Sequence, residues 1–237
     1  MDRTADDDVA VIMVGTRACV IAIDGPAGAG KSTAAGLLAR RLGYRLIDTG
    51  AMYRALAWSV ARAGLAPQDS PALRQHLDRV KIDVVGERVL VDGVDVGGEI
   101  RTPAISGLTS RLTTLPSVRD KVTPLQRKLA AAGGVVLEGR DIGTVVCPDA
   151  DVKFFLEASL EERARRRHAE LGEGGGTMSL ERVREDLAAR DTQDRTRAVA
   201  PLVKAGDAIT VDSTDRTPEQ VVGLMLQAIE RQCCTQF

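Results

Sequence analysis

A glycine-rich segment between an apolar run and a helix-like pattern is the feature that most restricts the fold of this chain. The segment reads Gly25-Pro26-Ala27-Gly28-Ala29-Gly30-Lys31-Ser32 and fits the spacing G-x-x-x-x-G-K-[S/T]. The apolar run 19–23 predicts a buried strand before it, and leucines at helical spacing predict a helix over 31–42 after it. Glycines allow the backbone to curl, so that its N–H groups converge on phosphate oxygens at the start of a helix. The sequence therefore predicts an α/β protein with a phosphate-binding loop.

Two side chains at the end of this loop indicate what kind of phosphate it binds. In such loops the lysine, here Lys31, lies near the β- and γ-phosphates of a nucleoside triphosphate. The hydroxyl of the next residue, here Ser32, can ligate Mg²⁺. We therefore predict a nucleotide site with Ser32 as a metal ligand.

The rest of the chain alternates predicted strands and helices, with one exception. Apolar runs predict further buried strands near 44–47, 134–137, 152–156 and 208–211, which is the pattern of a parallel sheet covered by helices. Between Lys81 and Ile100 the apolar residues instead alternate every second position, and Asp92-Gly93 is a typical hairpin turn. We interpret residues 64–102 as an insertion that carries a small antiparallel sheet. The insertion lies within a single domain over 19–237, behind a loose leader at 1–18.

Composition excludes several classes of protein. The 32 basic and 33 acidic residues give a net charge of −1, so no global charge favours nucleic acid or an acidic membrane. The apolar stretches are too short to span a membrane, and the acidic opening is unlike a secretory signal. The four cysteines and two histidines lack metal-ligand spacing. We expect a cytoplasmic protein, and its near-neutral charge and 3% aromatic content favour a monomer.

One residue type is absent, and this removes two further classes. The chain contains no asparagine, so it has neither a guanine-reading Asn-Lys-x-Asp box nor the catalytic-loop asparagine of protein kinases.

Arginines recur where predicted strands end. Asp48-Thr49-Gly50-x-x-Tyr53-Arg54 follows the second strand, and Glu138-Gly139-Arg140-Asp141 follows a later one. Open α/β sheets bind ligands at the carboxyl ends of their strands, and a guanidinium group can fork onto an anion. A third segment, 191–197, alternates acids and arginines. Taken singly, Arg54 or the run 191–197 could equally be a solvated helix face; taken together, they predict a second anion site.

These segments resemble the bacterial cytidylate (CMP) kinases. The resemblance rests on the loop 25–33, on Asp48 to Arg54, on Gly97-Gly98-Glu99-Ile100-Arg101, on Glu138-Gly139-Arg140-Asp141-Ile142-Gly143-Thr144-Val145-Val146 and on 190–202, in that order along nearly the whole chain. It implies a P-loop three-layer sandwich with a central parallel sheet, a monophosphate-binding insertion and a helical lid over about 160–198. It also implies transfer of the γ-phosphate of ATP, with Mg²⁺, to CMP or dCMP.

The resemblance also assigns roles by position. It implies that the donor nucleotide is held by the loop residues through Thr33, with catalytic roles for Lys31 and for the lid residue Arg166. It implies that the acceptor phosphate is held by Arg54, Arg140 and Arg197, cytosine by Ser110, Arg119 and Asp141, and the ribose by Arg190 and Asp194. Asp48, Thr49 and Tyr53 complete the implied acceptor site. A carboxylate at Asp141 would accept a hydrogen bond from the 4-amino group of cytosine and repel the 4-oxo group of uracil.

The lid is expected in a very basic helix. Ser159-x-x-Glu162 predicts a capping box at its start. Arg163, Arg166 and Arg167 share one face at three- and four-residue spacing, which would let them close over the phosphates. The flexible glycine run 172–176 separates this helix from a second charged helix, which is predicted near 180–190.

Three positions depart from the family pattern. Glu138 stands where aspartate is frequent, so its carboxylate is expected behind the Mg²⁺ ligands. Thr49 replaces a frequent serine and keeps the hydroxyl. Pro124 falls within a predicted helix, which predicts a bend behind Arg119. The leader and the pair Cys233-Cys234 lie outside the resemblance.

Two alternatives remain open from the residues alone. A kinase of a non-nucleotide, of the shikimate or gluconate type, would share the loop and the lid but would not need Ser110, Arg119 and Asp141. A nucleotide-binding regulatory ATPase would hydrolyse ATP slowly and phosphorylate no small molecule. The second alternative is disfavoured because no strand ends in a clear acidic pair of the Walker B type.

Overall fold

The computed structural model describes residues 13–14, 17–173 and 178–234. Its strands are β1 (Met13–Val14), β2 (Arg17–Ala18), β3 (Val20–Asp24), β4 (Arg45–Asp48), β5 (Ile82–Val85), β6 (Arg88–Val91), β7 (Val94–Asp95), β8 (Val135–Gly139), β9 (Val152–Glu157) and β10 (Ile209–Asp212). Its α-helices are α1 (Lys31–Leu42), α2 (Thr49–Arg62), α3 (Pro71–Arg79), α4 (Pro103–Leu112), α5 (Pro116–Ala130), α6 (Leu160–Glu173), α7 (Leu180–Thr196) and α8 (Pro218–Cys234). A 3₁₀ turn covers Glu99–Arg101, and a single π-helical turn covers Ile142–Val146.

A five-stranded parallel sheet forms the centre of the molecule. Its strand order is β10-β9-β3-β8-β4, and every neighbouring pair is parallel. All residues of β3 and β8 are buried, which is why these strands read as continuous apolar runs in the sequence. The predicted parallel sheet is confirmed.

Helices cover both faces of this sheet and create two hydrophobic cores. On one face, Leu38 of α1 and Met225 of α8 pack in a cluster with Phe154 of β9. On the other face, Leu56 of α2 and Val122 of α5 pack in a cluster with Leu137 of β8. The architecture is therefore the predicted three-layer sandwich.

The small antiparallel sheet predicted in the middle of the chain is also present. It has the order β5-β6-β7, and the turn residues Asp92 and Gly93 both have positive φ, at 50° and 84°. Two positive φ angles are typical of a type I′ hairpin turn. Val89 and Val91 bury this sheet against the core on the α2 side, so the insertion packs against α2.

Two helices differ from expectation in their course. The sequence predicts a helix near 180–190, but α7 runs to Thr196, so the acids of the 191–194 segment lie on its last turns. α5 continues as one helix through Pro124. Both Pro124 and Asp120, whose carbonyl loses its intrahelical donor, lie on the exposed side, where water can satisfy that carbonyl.

Two helix starts show how side chains cap the helices. Ser70 is the N-cap of α3 and Pro71 its first residue, with the Ser70 hydroxyl accepting from Leu73 N at 3.2 Å. At the start of α6, Ser159 Oγ accepts from Glu162 N, but the Glu162 carboxylate pairs with arginines instead of closing the box. Most of the glycine run 172–176 and of the leader 1–18 lies outside the described residues. Among the helices that are described, none is long and apolar enough to cross a membrane.

Candidate active site

The carboxyl ends of β3, β4 and β8 meet at one edge of the sheet and border a cavity of about 930 Å³. Nearly every site residue predicted from the sequence lines it, from three directions. The phosphate loop contributes Ala27, Gly28, Ala29, Gly30, Lys31, Ser32 and Thr33. The acceptor side contributes Asp48, Thr49, Tyr53, Arg54, Ser110, Arg119, Arg140 and Asp141. Helices α6 and α7, with the residue that follows α7, contribute Arg166, Arg190, Asp194 and Arg197. Gly25 and Pro26, the first two residues of the loop, do not line the cavity.

The loop begins at a position that only glycine can occupy. Gly25 has φ of 150°, and a Cβ there would lie 2.1 Å from the carbonyl oxygen of Leu156 in β9. The first turn of the loop is therefore packed directly on the neighbouring strand, and α1 starts from it at Lys31. This packing aims the first N–H groups of α1 at the cavity.

Lys31 is buried at the base of the loop. Its ammonium donates to Pro26 O at 2.7 Å. Burial lowers the pKa of Lys31 to about 7, and the nearby charge of Arg140 acts in the same direction, while Glu138 opposes it. In the free site Lys31 is therefore only partly protonated near neutral pH, and a bound anion would favour its charged form.

Ser32 and Glu138 form the part of the site suited to a cation. Ser32 Oγ donates to Glu138 Oε1 at 2.6 Å, and Thr49 Oγ1 donates to the Glu138 carbonyl at 2.6 Å. Burial raises the pKa of Glu138, and the Asp48 carboxylate adds to the effect. The described residues contain no cluster of three or more His, Cys, Asp or Glu side chains able to hold a metal alone. The oxygens present suit Mg²⁺, which usually takes one or two protein ligands and completes its shell with phosphate and water.

Asp48 organises the start of α2. Its Oδ1 accepts from Ala51 N at 2.7 Å as the helix cap, and its Oδ2 accepts from Arg54 Nη2 at 2.8 Å. Arg54 Nε is buried and has no hydrogen-bond partner in the structure. One carboxylate thus fixes the Arg54 guanidinium while leaving a donor for a ligand.

Three arginines surround two buried carboxylates on the acceptor side. Asp141 is hydrogen-bonded to Arg119, and its other oxygen lies 3.6 Å from Arg197 Nη2. Asp194 accepts from Arg140 Nε at 3.0 Å and lies 3.8 Å from Arg197 Nη1. Burial raises the pKa of Asp141, while Arg119 and Arg197 oppose that rise.

The arginine donors exceed the acceptors available to them. Arg190 Nε and Arg197 Nη2 are buried without a hydrogen-bond partner among the described residues, as is Arg54 Nε. Burial, together with the charge of Arg140, lowers the pKa of Arg190 to about 10. Unpartnered buried donors are costly unless a ligand completes them. The cavity is therefore built to receive an anion on this side, opposite the phosphate loop.

The arginines on the basic face of α6 make two kinds of contact. Arg166 and Arg167 line the cavity, as expected. Arg163 does not: it is buried, donates to Ala27 O at 3.1 Å and pairs with Asp191 at 2.7 Å. The expectation that all three arginines face the phosphates is wrong for Arg163, because its donors hold α6 and α7 to the loop.

Sequence reasoning missed two further polar residues at the site. Asp24 accepts from Ile142 N and Gly143 N, both at 2.8 Å, and burial raises its pKa to about 6. Asp24 ends a buried strand directly before the loop, and this position in the sequence could have identified it as a site residue. Gln193, which does not line the cavity, makes two hydrogen bonds to the lining residue Ser110. Nothing in the charged run around Gln193 indicated that contact.

A phosphate loop at the end of the central strand faces, across one cleft, buried arginine N–H groups that have no hydrogen-bond partner among the described residues, and this arrangement defines a P-loop phosphotransferase. The chain belongs to the cytidylate kinase family, whose model matches residues 21–231. A cytidylate kinase from Symbiobacterium thermophilum is 47% identical over 92% of this chain and 98% of its own length. One from Geobacter sulfurreducens is 52% identical over 89% of this chain and 92% of its own. These findings confirm the resemblance carried by the motifs.

The solved structures support the fold. TT1252 from Thermus thermophilus is 20% identical, covers 92% of this chain and 98% of its own, and superposes with a TM-score of 0.50. At that identity the likeness concerns the architecture alone.

Proposed function

We propose that the protein transfers the γ-phosphate of ATP to CMP or dCMP, forming the corresponding diphosphate. The observation that carries the proposal is the cleft in which the phosphate loop faces buried arginine N–H groups that have no hydrogen-bond partner among the described residues. The names of the relatives support the same acceptor. The shikimate- or gluconate-type and regulatory ATPase alternatives do not account for the buried Arg119–Asp141 pair in the cavity.

The donor nucleotide is bound by the loop Gly25 to Thr33. Lys31 exchanges its hydrogen bond with the Pro26 carbonyl for the β- and γ-phosphates, and Arg166 reaches them from α6. Ser32 would hold Mg²⁺, with Glu138 orienting its hydroxyl. When bound, Mg²⁺ supplies neutralisation of the phosphate charge.

The acceptor nucleotide is bound on the opposite side of the cleft. Its phosphate is held by Arg54, Arg140 and Arg197, and its ribose by Arg190 and Asp194. Asp48 contributes by fixing Arg54, Thr49 by fixing the strand end at Glu138, and Tyr53 by lying under Arg119, with 5.8 Å between its ring centre and the guanidinium carbon. The base is read by Ser110, Arg119 and Asp141.

Base selectivity follows from the chemistry of Asp141. Its carboxylate accepts from the 4-amino group of cytosine, with Arg119 fixing its orientation. Uracil presents an acceptor at that position, so two acceptors would face one another in a buried site. A site built around one hydrogen bond can reject an analogue that lacks it by about 10⁴-fold.

The reaction needs no protein base. The nucleophile is a phosphate oxygen of the acceptor, which is largely ionised near neutral pH. The protein therefore has to align two polyanions and neutralise their repulsion, and the arginines on both sides of the cleft are suited to that. Closure of α6 over the donor would exclude water and so limit ATP hydrolysis.

The test is ADP release with an acceptor panel of CMP, dCMP, UMP, AMP, GMP and shikimate, with magnesium and ATP supplied. We expect CMP and dCMP to be the preferred acceptors. We also expect Lys31→Ala to lower turnover at least about a hundredfold, since one preorganised transition-state donor contributes about 3–4 kcal/mol. Preference for shikimate, or ADP release without acceptor, would contradict the proposal. The monomeric state, the cytoplasmic location and the absence of nucleic-acid binding stay predictions.

A further inference from the structure

A pair of hydrogen bonds joins α7 to the end of α4 behind the base-binding part of the cavity. Ser110 Oγ lies 3.0 Å from Gln193 Oε1, and Gln193 Nε2 lies 2.9 Å from the Ser110 carbonyl oxygen. Ser110 lines the cavity, whereas Gln193 does not. Gln193 therefore contacts the other side of a residue that itself faces the ligand.

The position of Ser110 in α4 fixes which way these hydrogen bonds run. Its carbonyl lies in the last turn of the helix, where Thr113 Oγ1 also donates to it at 3.1 Å, and a carbonyl can only accept. The amide nitrogen of Gln193 must therefore face that carbonyl. The amide oxygen is left facing Ser110 Oγ, and because this oxygen can only accept, the hydroxyl must donate its single proton to it.

This arrangement determines what Ser110 can offer to a ligand. A serine hydroxyl has one proton and two lone pairs. Since the Ser110 hydroxyl donates its proton to Gln193 in a hydrogen bond, only its oxygen lone pairs remain for a ligand in the cavity. Without Gln193, the hydroxyl would rotate freely and could donate to a ligand oxygen as readily as it accepts from a ligand nitrogen.

We propose that Gln193 is a positioning residue that sets the choice of base by making Ser110 a pure hydrogen-bond acceptor. This inference rests on the proposed function and extends it to a residue outside the cavity wall. Ser110 then accepts from the 4-amino group of cytosine, alongside the Asp141 carboxylate. The 4-oxo group of uracil meets two acceptors and cannot recruit the Ser110 proton.

The experiment compares Gln193→Leu, Ser110→Ala and the double variant with the full-length wild-type chain. The measurement is kcat/KM for CMP and for UMP, together with KM for ATP. Gln227→Leu, at an exposed glutamine of α8, is the matched control. We expect Gln193→Leu to lower the CMP/UMP ratio about three- to tenfold, mainly by improving UMP, with KM for ATP unchanged. In the Ser110→Ala background the same change should have no further effect, since the hydroxyl is gone.

Each outcome separates this inference from the proposed function. A wild-type chain that does not phosphorylate CMP would refute the function. A wild-type chain that does, with an unchanged CMP/UMP ratio in Gln193→Leu, would refute the role of Gln193. A raised KM for ATP at constant ratio would show that the contact only holds α7 against α4, and would also overturn the inference. Gln193→Ala is the second variant, with the same expected ratio, in case the leucine disturbs folding.

Discussion

Lys31 should take up a proton when the nucleotide binds above neutral pH. In the free protein burial lowers the pKa of Lys31 to about 7, so the ammonium is only partly formed under ordinary conditions. A bound triphosphate places several negative charges beside it and raises its pKa again. Part of the positive charge on Lys31 therefore forms only when the phosphates bind.

The size of the uptake follows from the fraction of Lys31 that is protonated before binding. With a pKa of about 7, that fraction is roughly 0.9 at pH 6, 0.5 at pH 7 and 0.1 at pH 8. If Lys31 is fully charged in the complex, ATP binding takes up about 0.1 proton at pH 6 and about 0.9 at pH 8. The uptake thus rises with pH, which is the sign expected for a lysine whose pKa is low only in the free state.

Calorimetric titration with ATP in two buffers of different ionisation enthalpy measures this uptake directly. Lys31→Arg is the control, because arginine stays charged throughout this range. Proton exchange by ATP itself remains in the control. Because Lys31 and Glu138 shift each other's pKa, the difference between the two proteins measures the uptake of this pair. A difference below about 0.2 proton at pH 8, or one that does not change between pH 6 and pH 8, would refute the reasoning.

Three further perturbations test other parts of the site. Gly25→Ala should abolish nucleotide binding, measured by fluorescence titration, because its Cβ would overlap the Leu156 carbonyl; near-normal affinity would contradict the packing described. Arg163→Met should lower the free energy of unfolding in urea by about 3 kcal/mol, since it leaves the Asp191 carboxylate buried and unpaired; a loss below about 1 kcal/mol would show that the pair is not needed. Glu138→Gln should raise the Mg²⁺ concentration for half-maximal rate about tenfold, and an unchanged magnesium titration would remove Glu138 from the cation site.

The parts of the fold that were predictable depend on local physical constraints. A loop that must curl, as at Gly25, and a turn that needs two positive φ angles, as at Asp92-Gly93, leave clear marks in a sequence. Continuous apolar runs reveal strands covered on both faces, so β3 and β8 could be recognised. Since parallel strands end at one edge, the meeting of the Asp48 and Glu138 segments followed from that recognition.

The parts that were missed depend on contacts between distant segments. Helical spacing placed Arg163 on one face with Arg166, but it cannot say that Asp191 and the Ala27 carbonyl would occupy that guanidinium. The predicted end of α7 near Arg190 is wrong, since no glycine or proline ends the helix there and it continues to Thr196. The contact of Gln193 with Ser110 joins two elements far apart in the chain, and neither residue has a local pattern that implies the other.

The strand order of the central sheet has a consequence for how the chain is made. β3 emerges early, yet among the described strands it pairs only with β8 and β9. Val20 therefore cannot pair until Val135 is made, nor Ile21 with β9 until Val152 is made. At roughly 5–20 residues per second the ribosome needs many seconds to deliver those partners. Throughout that interval the apolar strand β3 lacks both of its hydrogen-bonded neighbours. Nascent chains that stop short of β8 should therefore depend on chaperones or aggregate; they contain the residues of the phosphate loop but not Leu156 of β9, on which the loop packs.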